Sequence, residues 1–234
     1  MKKGLIINIE GTNEAGKTTQ VELLCKRLET EGYSVLHHKF PTENCICSAP
    51  AYAYLHQEID ITGMTGIDAS ILFLADMICW GNKFIQARNE GKIVILERYY
   101  NGNIIHQAAR DWEEGYPGKY DDHPMFKLFA YQFANNLKGI VQKSSLPIPD
   151  EVVYLHASPE LTESYRTVHN NGGDLFETSR VHQILASKFG LLTAEHEHWD
   201  VIDEGTPEAP LSIDEIHEQI YTLVKEAISE LRKE

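Results

Sequence analysis

Lys17 and Thr18 close the run Gly11-Thr12-Asn13-Glu14-Ala15-Gly16-Lys17-Thr18. A lysine and a hydroxyl placed directly after two spaced glycines form a pattern that grips polyphosphate. The glycines remove Cβ atoms that would hold the backbone away from phosphate oxygens. The loop N–H groups can then turn toward the anion, beside the positive end of a helix dipole. Lys17 is suited to the β- and γ-phosphates, and Thr18 is suited to be a ligand for Mg2+. Gly11, Asn13, Glu14, Ala15, Gly16, Lys17, Thr18 and Thr19 are therefore the expected donor-nucleotide contacts, with ATP and Mg2+ as cofactors.

These side chains need a strand before the loop and a helix after it. The apolar run Leu5-Ile6-Ile7-Asn8-Ile9 supplies the first, and Gln20-Val21-Glu22-Leu23-Leu24 opens the second. Along the chain, short apolar runs alternate with longer amphipathic ones. The pattern predicts strands over 4–9, 34–40, 92–97, 151–156 and 199–203. It predicts helices over 17–31, 67–90, 100–111, 124–143, 158–170, 178–190 and 212–232. Ser158-Pro159-Glu160 has the N-cap serine, first-turn proline and following acid of a helix start. The stretches 112–123 and 144–149 read as loops. Strands separated by helices imply an α/β fold of the P-loop NTPase kind: a five-stranded parallel sheet with helices on both faces. One domain over 1–234 is expected, with a short lid over about 166–178, where His169-Asn170-Asn171-Gly172-Gly173 suits a mobile loop.

Composition narrows the function classes. The 234 residues carry a formal charge of −14, which opposes general binding to a phosphate backbone, so no nucleic-acid partner is expected. No stretch approaches the ~20 apolar residues of a membrane span. The N-terminus runs straight into the first strand, leaving no room for a signal peptide. Cys25, Cys45, Cys47 and Cys79 read as reduced thiols of a cytoplasmic protein. Neither Cys45-Ile46-Cys47 nor the histidines at 37–38 and 196–198 have metal spacing. No Asn-Lys-x-Asp sequence is present to read guanine.

Further short features follow the glycine loop in order. They are Phe40-Pro41-Thr42-Glu43, Leu72-Phe73-Leu74-Ala75-Asp76, Glu97-Arg98-Tyr99 with Gln107, Leu146-Pro147-Ile148-Pro149-Asp150, Ser158-Pro159-Glu160 and Trp199-Asp200-Val201-Ile202-Asp203. As an ordered set they resemble the thymidylate kinase family over nearly the whole chain. The resemblance implies transfer of the γ-phosphoryl group of ATP to a deoxynucleoside monophosphate, dTMP first, and a homodimer.

Arg98 falls just past a strand expected beside the glycine-loop strand, in the crevice where such sheets bind ligands. Its fork can grip a phosphate, and the resemblance assigns it to the acceptor monophosphate. Glu97 stands where the family has aspartate, and its carboxylate could orient Mg2+-bound water or the acceptor phosphate. Phe73 reads equally as core packing and as a ring stacked on the acceptor base. Gln107 matches the family's base-reading glutamine, since an amide offers a donor and an acceptor. Phe40, Asp76 and Asn13 complete the expected acceptor site, with Asn13 toward the sugar. Arg166, near the end of its helix, could bring charge to the transferring group.

Four positions depart from the family pattern: Asn13, Thr42, Met77 and Leu175. Met77 replaces an arginine beside the base, which leaves a modified or different pyrimidine deoxynucleotide open as acceptor. Lys39, His38 and Lys119 are candidates to replace the missing charge. A deoxynucleoside kinase would instead need a carboxylate base, for which Glu43 is placed. A non-catalytic nucleotide-binding module is the remaining alternative.

Overall fold

The computed structural model describes residues 3–118, 123–169 and 179–231. Chain order begins with β1 (Leu5–Gly11), α1 (Lys17–Thr30) and β2 (Val35–Lys39). A short 3-10 turn (Ile46–Ser48) precedes α2 (Ala49–Leu55) and the long α3 (Gly66–Asn89). Then come β3 (Ile93–Glu97), α4 (Tyr100–Gly115), α5 (Phe126–Val141), β4 (Glu151–His156) and α6 (Pro159–His169). The chain continues with α7 (Arg180–Glu197), β5 (Asp200–Asp203), the two-residue strands β6 (Gly205–Thr206) and β7 (Ala209–Pro210), and α8 (Ile213–Leu231).

The first five strands form one parallel sheet in the order β2-β3-β1-β4-β5. Its central strands are apolar on both faces because helices cover both. Successive side chains alternate between two cores. Ile6, Val94, Leu96, Val152 and Tyr154 face the layer of α2, α3, α4, α5 and α7. Ile7, Ile9, Ile93, Ile95, Val153 and Leu155 face α1 and α8. The sequence reading of a five-stranded parallel sheet between helices describes this architecture.

The polar exceptions on β1 lie on the α4 side. Asn8 Nδ2 donates to Asn101 Oδ1 over 3.1 Å. Glu10, fully buried, accepts from the backbone N–H of Gly11 at 3.1 Å and of Tyr99 at 3.3 Å. These bonds set the start of α4 against the end of β1. At the head of α3, Thr65 and Asp68 form a reciprocal capping box.

Several boundaries differ from expectation. The segment read as a loop from 112 begins as helix, because α4 runs on to Gly115. Trp112 is fully buried there and packs edge-on to Phe126 at 4.9 Å, so tertiary burial extends the helix. α7 continues past 190 to Glu197. Gly190 does not break it, because a Cβ at that point would overlap the Tyr154 hydroxyl of the sheet. The 3-10 turn with α2, and the β6–β7 hairpin, fill stretches to which the periodicity assigned no element. The lid call over 166–178 concerns side chains, and from 170 onward backbone, outside the described residues.

Candidate active site

The glycine loop leaves the end of β1 in the middle of the sheet. Gly16, with φ 58°, takes the left-handed turn that admits the chain to α1. Glu14 through Gln20 line a cleft of about 830 Å3, together with Tyr165, Glu204 and the segment Pro210–Ile213. Lys17 is buried and curls back over its own loop, donating to the carbonyls of Gly11 (3.0 Å) and Thr12. Burial, with the charge of Arg98, lowers its pKa to about 7 against the pull of Glu10, Glu97 and Glu204. Asn13 points the other way and lines a second cavity, so the loop borders both.

Glu97 ends β3 directly beside this loop. Thr18 Oγ1 donates to its Oε1 at 2.5 Å, and Lys39 Nζ lies 3.1 Å from the same oxygen. Burial alone would push the Glu97 pKa up. Hydrogen bonds from His37, Thr18 and Lys39 outweigh it and bring the value to about 2. The other oxygen, Oε2, is buried and lies 3.6 Å from His37 Nε2. A hydroxyl and a carboxylate are hard donors of the kind Mg2+ takes. Among the described residues there is no cluster of three His, Cys, Asp or Glu able to hold a metal. A cation here would therefore rely on Thr18, Glu97 and nucleotide phosphates together.

Arg98 follows in the left-handed region, φ 62°, a conformation rare for a residue with a side chain. Its guanidinium does not pair with Glu97. Nη2 donates to Asn13 Oδ1 at 2.6 Å, and Nη1 lies 3.5 Å from His106 Nε2. Arg98 lines both the loop cleft and the second cavity, and so stands where the two meet.

That second cavity, about 100 Å3, has apolar walls from Phe40, Phe73, Met77 and Leu55 and polar groups from Asn103, His106 and Gln107. Phe73 packs in the core and also lines the cavity. Gln107 is buried, with Oε1 accepting from Tyr54 Oη at 2.9 Å and Nε2 unpaired. Asp76 departs from its expected place. It does not line the cavity but sits beneath the Phe40-Pro41-Thr42 turn, accepting from Thr42 N at 2.7 Å. Arg166 belongs to α6, and its side chain lies outside the described residues, as do Leu175 and Lys119. Of the other candidate charges, Lys39 reaches the site. His38 does not: burial, with Lys83 and His37 nearby, lowers its pKa to about 4, and its ring packs on Trp80 at 4.0 Å.

Sequence reasoning missed Glu204, Asn103, His106 and Tyr54. Glu204 follows β5 and lines the loop cleft, with burial raising its pKa to about 7 despite Lys17. No motif marks it. Asn103 and His106 share with Gln107 the α4 face that lines the cavity, which helical spacing from Gln107 could have located.

Comparison with known proteins points to one family. The thymidylate kinase family model matches residues 9–121. A zebrafish (Danio rerio) thymidylate kinase is 24% identical over 97% of this chain and 93% of its own. These matches all support the thymidylate kinase family. A probable thymidylate kinase of Pyrococcus horikoshii is 34% identical, but over 46% of this chain, and the match spans about half of that relative, 54%. A solved thymidylate kinase from Candida albicans superposes with a TM-score of 0.67 at 20% identity, over 95% of this chain and 92% of its own, and shares the fold. The family uses ATP as phosphate donor. The matched residues 9–121 take in the glycine loop, the Glu97-Arg98 pair and the whole α4 wall of the second cavity.

Proposed function

We propose that this protein transfers the γ-phosphoryl group of ATP to a deoxynucleoside monophosphate, dTMP first, giving dTDP and ADP. The observation that carries the reading is the position of Arg98 between a phosphate cleft and a base-sized, largely apolar cavity. A phosphate oxygen of the acceptor attacks the γ-phosphorus, the bond to the β,γ-bridging oxygen breaks, and ADP leaves with that oxygen. The acceptor oxygen is already anionic, so no strong base is needed. Catalysis then consists of placement and charge neutralisation.

In this reading the loop N–H groups and Lys17 hold the donor phosphates. Lys17 regains full charge when phosphate replaces the loop carbonyls as its partner. Arg98 holds the acceptor phosphate, with Asn13 fixing its fork. Phe73 and Phe40 enclose the base, and Gln107 reads its edge. Thr18 and Glu97 would hold Mg2+, which neutralises charge on the β- and γ-phosphates when bound. Arg166 is the candidate to add charge from the lid side.

The deoxynucleoside-kinase alternative lacks support, because its carboxylate, Glu43, is exposed and lines neither cavity. We further propose a homodimer through α3, where Ile71, Ile78 and Ile85 are exposed at seven-residue spacing and form one apolar stripe. Four free thiols suit a reducing, cytoplasmic compartment. Among the described residues, no helix is long and apolar enough to cross a membrane. Separate incubation of ATP with thymidine and with dTMP tests the proposal. Product from dTMP alone supports it, and product from thymidine alone overturns it.

A further inference from the structure

The amide of Gln107 has a fixed sense, and two residues behind it set that sense. Arg110 Nη1 lies 2.7 Å from Tyr54 Oη, which in turn lies 2.9 Å from Gln107 Oε1. A guanidinium has donors only. Tyr54 must therefore accept from Arg110 and give its single proton to the Gln107 atom that faces it. That atom has to be the oxygen. The Nε2 end is left buried and unpaired, on a residue that lines the acceptor-side cavity.

The relay is held from behind. Arg110 Nη2 also donates to the carbonyl of Met64 and lies 3.2 Å from Asp111 Oδ1, while its Nε lies 3.5 Å from Glu114 Oε1. Tyr54 is fully buried and meets Phe73 edge to face at 5.8 Å. Burial raises its pKa, so the phenol keeps its proton.

We propose that Arg110 and Tyr54 are specificity-determining positioning residues. They lock Gln107 as a hydrogen-bond donor, so the cavity takes a pyrimidine with a carbonyl oxygen at the edge farthest from the phosphate and rejects one with an amino group there. This rests on reading the cavity as the acceptor site. Arg98 lies just before α4, and Gln107 lies seven residues past its first residue, about 10 Å along the axis. A monophosphate held at Arg98 therefore directs the far edge of its base toward Gln107. A carbonyl there satisfies the buried Nε2. An amino group there leaves two buried donors facing each other, both unpaired. Asn103 Nδ2 is a second buried, unpaired donor lining the same cavity, whereas Met77 in its lining offers only a weak thioether acceptor. Without the Tyr54 proton the amide is free to turn over and accept from an amino group.

The test compares dTMP with 5-methyl-2′-deoxycytidine monophosphate, which keeps the methyl group and exchanges the 4-carbonyl for an amine. Both kcat/KM and, without ATP, Kd by calorimetry are read. The wild-type protein is expected to prefer dTMP by about 100-fold or more. Tyr54→Phe, checked for folding by thermal melting, should bring that preference within about tenfold while leaving KM for ATP unchanged. Gln107→Glu, which presents acceptors only, should move the preference toward the amino ring and decides the matter if Tyr54→Phe does not fold. A folded Tyr54→Phe protein with the wild-type ratio overturns the proposal, even if both rates fall together. An undiminished dTMP preference in Gln107→Glu also overturns it, as does failure of the wild-type protein to bind either nucleotide. Selective binding of dTMP without turnover would remove the kinase reading and leave the relay standing. Equal binding of the two would remove the relay and leave the kinase reading.

Discussion

Arg98 Nη2 donates to Asn13 Oδ1 across 2.6 Å, and this bond ties the end of β3 to the glycine loop that follows β1. The Arg98 backbone N–H adds a second tie, to the Ile9 carbonyl at 3.1 Å. One guanidinium thus borders both cavities, held by the glycine loop. Arg98→Ala should lower kcat at least about 100-fold, the scale for removing one preorganised charge at a developing centre. Arg98→Lys should recover little of it, because a point charge cannot fork between Asn13 and a phosphate. Steady-state kinetics with both variants checks this, and full turnover in Arg98→Ala would contradict it.

The Glu97 cluster predicts a pH-dependent stability term. Its folded pKa, about 2, lies below the ordinary value of 4.5. The sign follows: the contribution is complete above pH 4.5 and is lost as pH falls toward 2. It amounts to roughly 2–3 kcal/mol. Glu97→Gln should therefore melt well below wild type at pH 6, with the gap narrowing at pH 3. An equal gap at both values would rule the assignment out.

Lys17 and Glu204 predict proton uptake on nucleotide binding. Both have pKa values near 7 in the free protein, Lys17 lowered chiefly by burial and Glu204 raised by it. Triphosphate charge raises both, so protons enter when ATP binds near neutral pH. Calorimetry at pH 7.5 in buffers of different ionisation enthalpy should report net uptake, smaller in Lys17→Met. Zero uptake would contradict the electrostatic picture.

The apolar stripe on α3 predicts that Ile78→Glu shifts the protein from dimer to monomer in analytical ultracentrifugation. Its melting temperature should change little, because Ile78 is exposed on the single chain. An unchanged sedimentation coefficient would exclude this face as the interface.

Much of the fold was legible because local and global signals agree there. The strands β1, β3 and β4 are short runs of β-branched and aliphatic residues buried on both faces, and the glycine loop marks its own place. The missed parts depend on distant packing. Trp112 and Gly190 look like a loop start and a helix end until Phe126 and Tyr154 close over them. The same holds at the site. Lys17, Thr18, Glu97 and Arg98 announce themselves by motif, whereas Tyr54 acts through a partner 53 positions away. Asp76 lies in a recognisable run but spends its carboxylate on the Thr42 backbone. Residue spacing cannot distinguish these outcomes.

The central claim is phosphoryl transfer to a deoxypyrimidine monophosphate, and the most direct test is a screen. The purified protein, ATP and Mg2+ are incubated with each common nucleoside monophosphate and with modified pyrimidine deoxynucleotides, and diphosphate products are quantified by phosphorus NMR. The expected result is dTDP as the principal product, lost in Lys17→Ala. ATP binding without diphosphate formation from any acceptor would contradict the account.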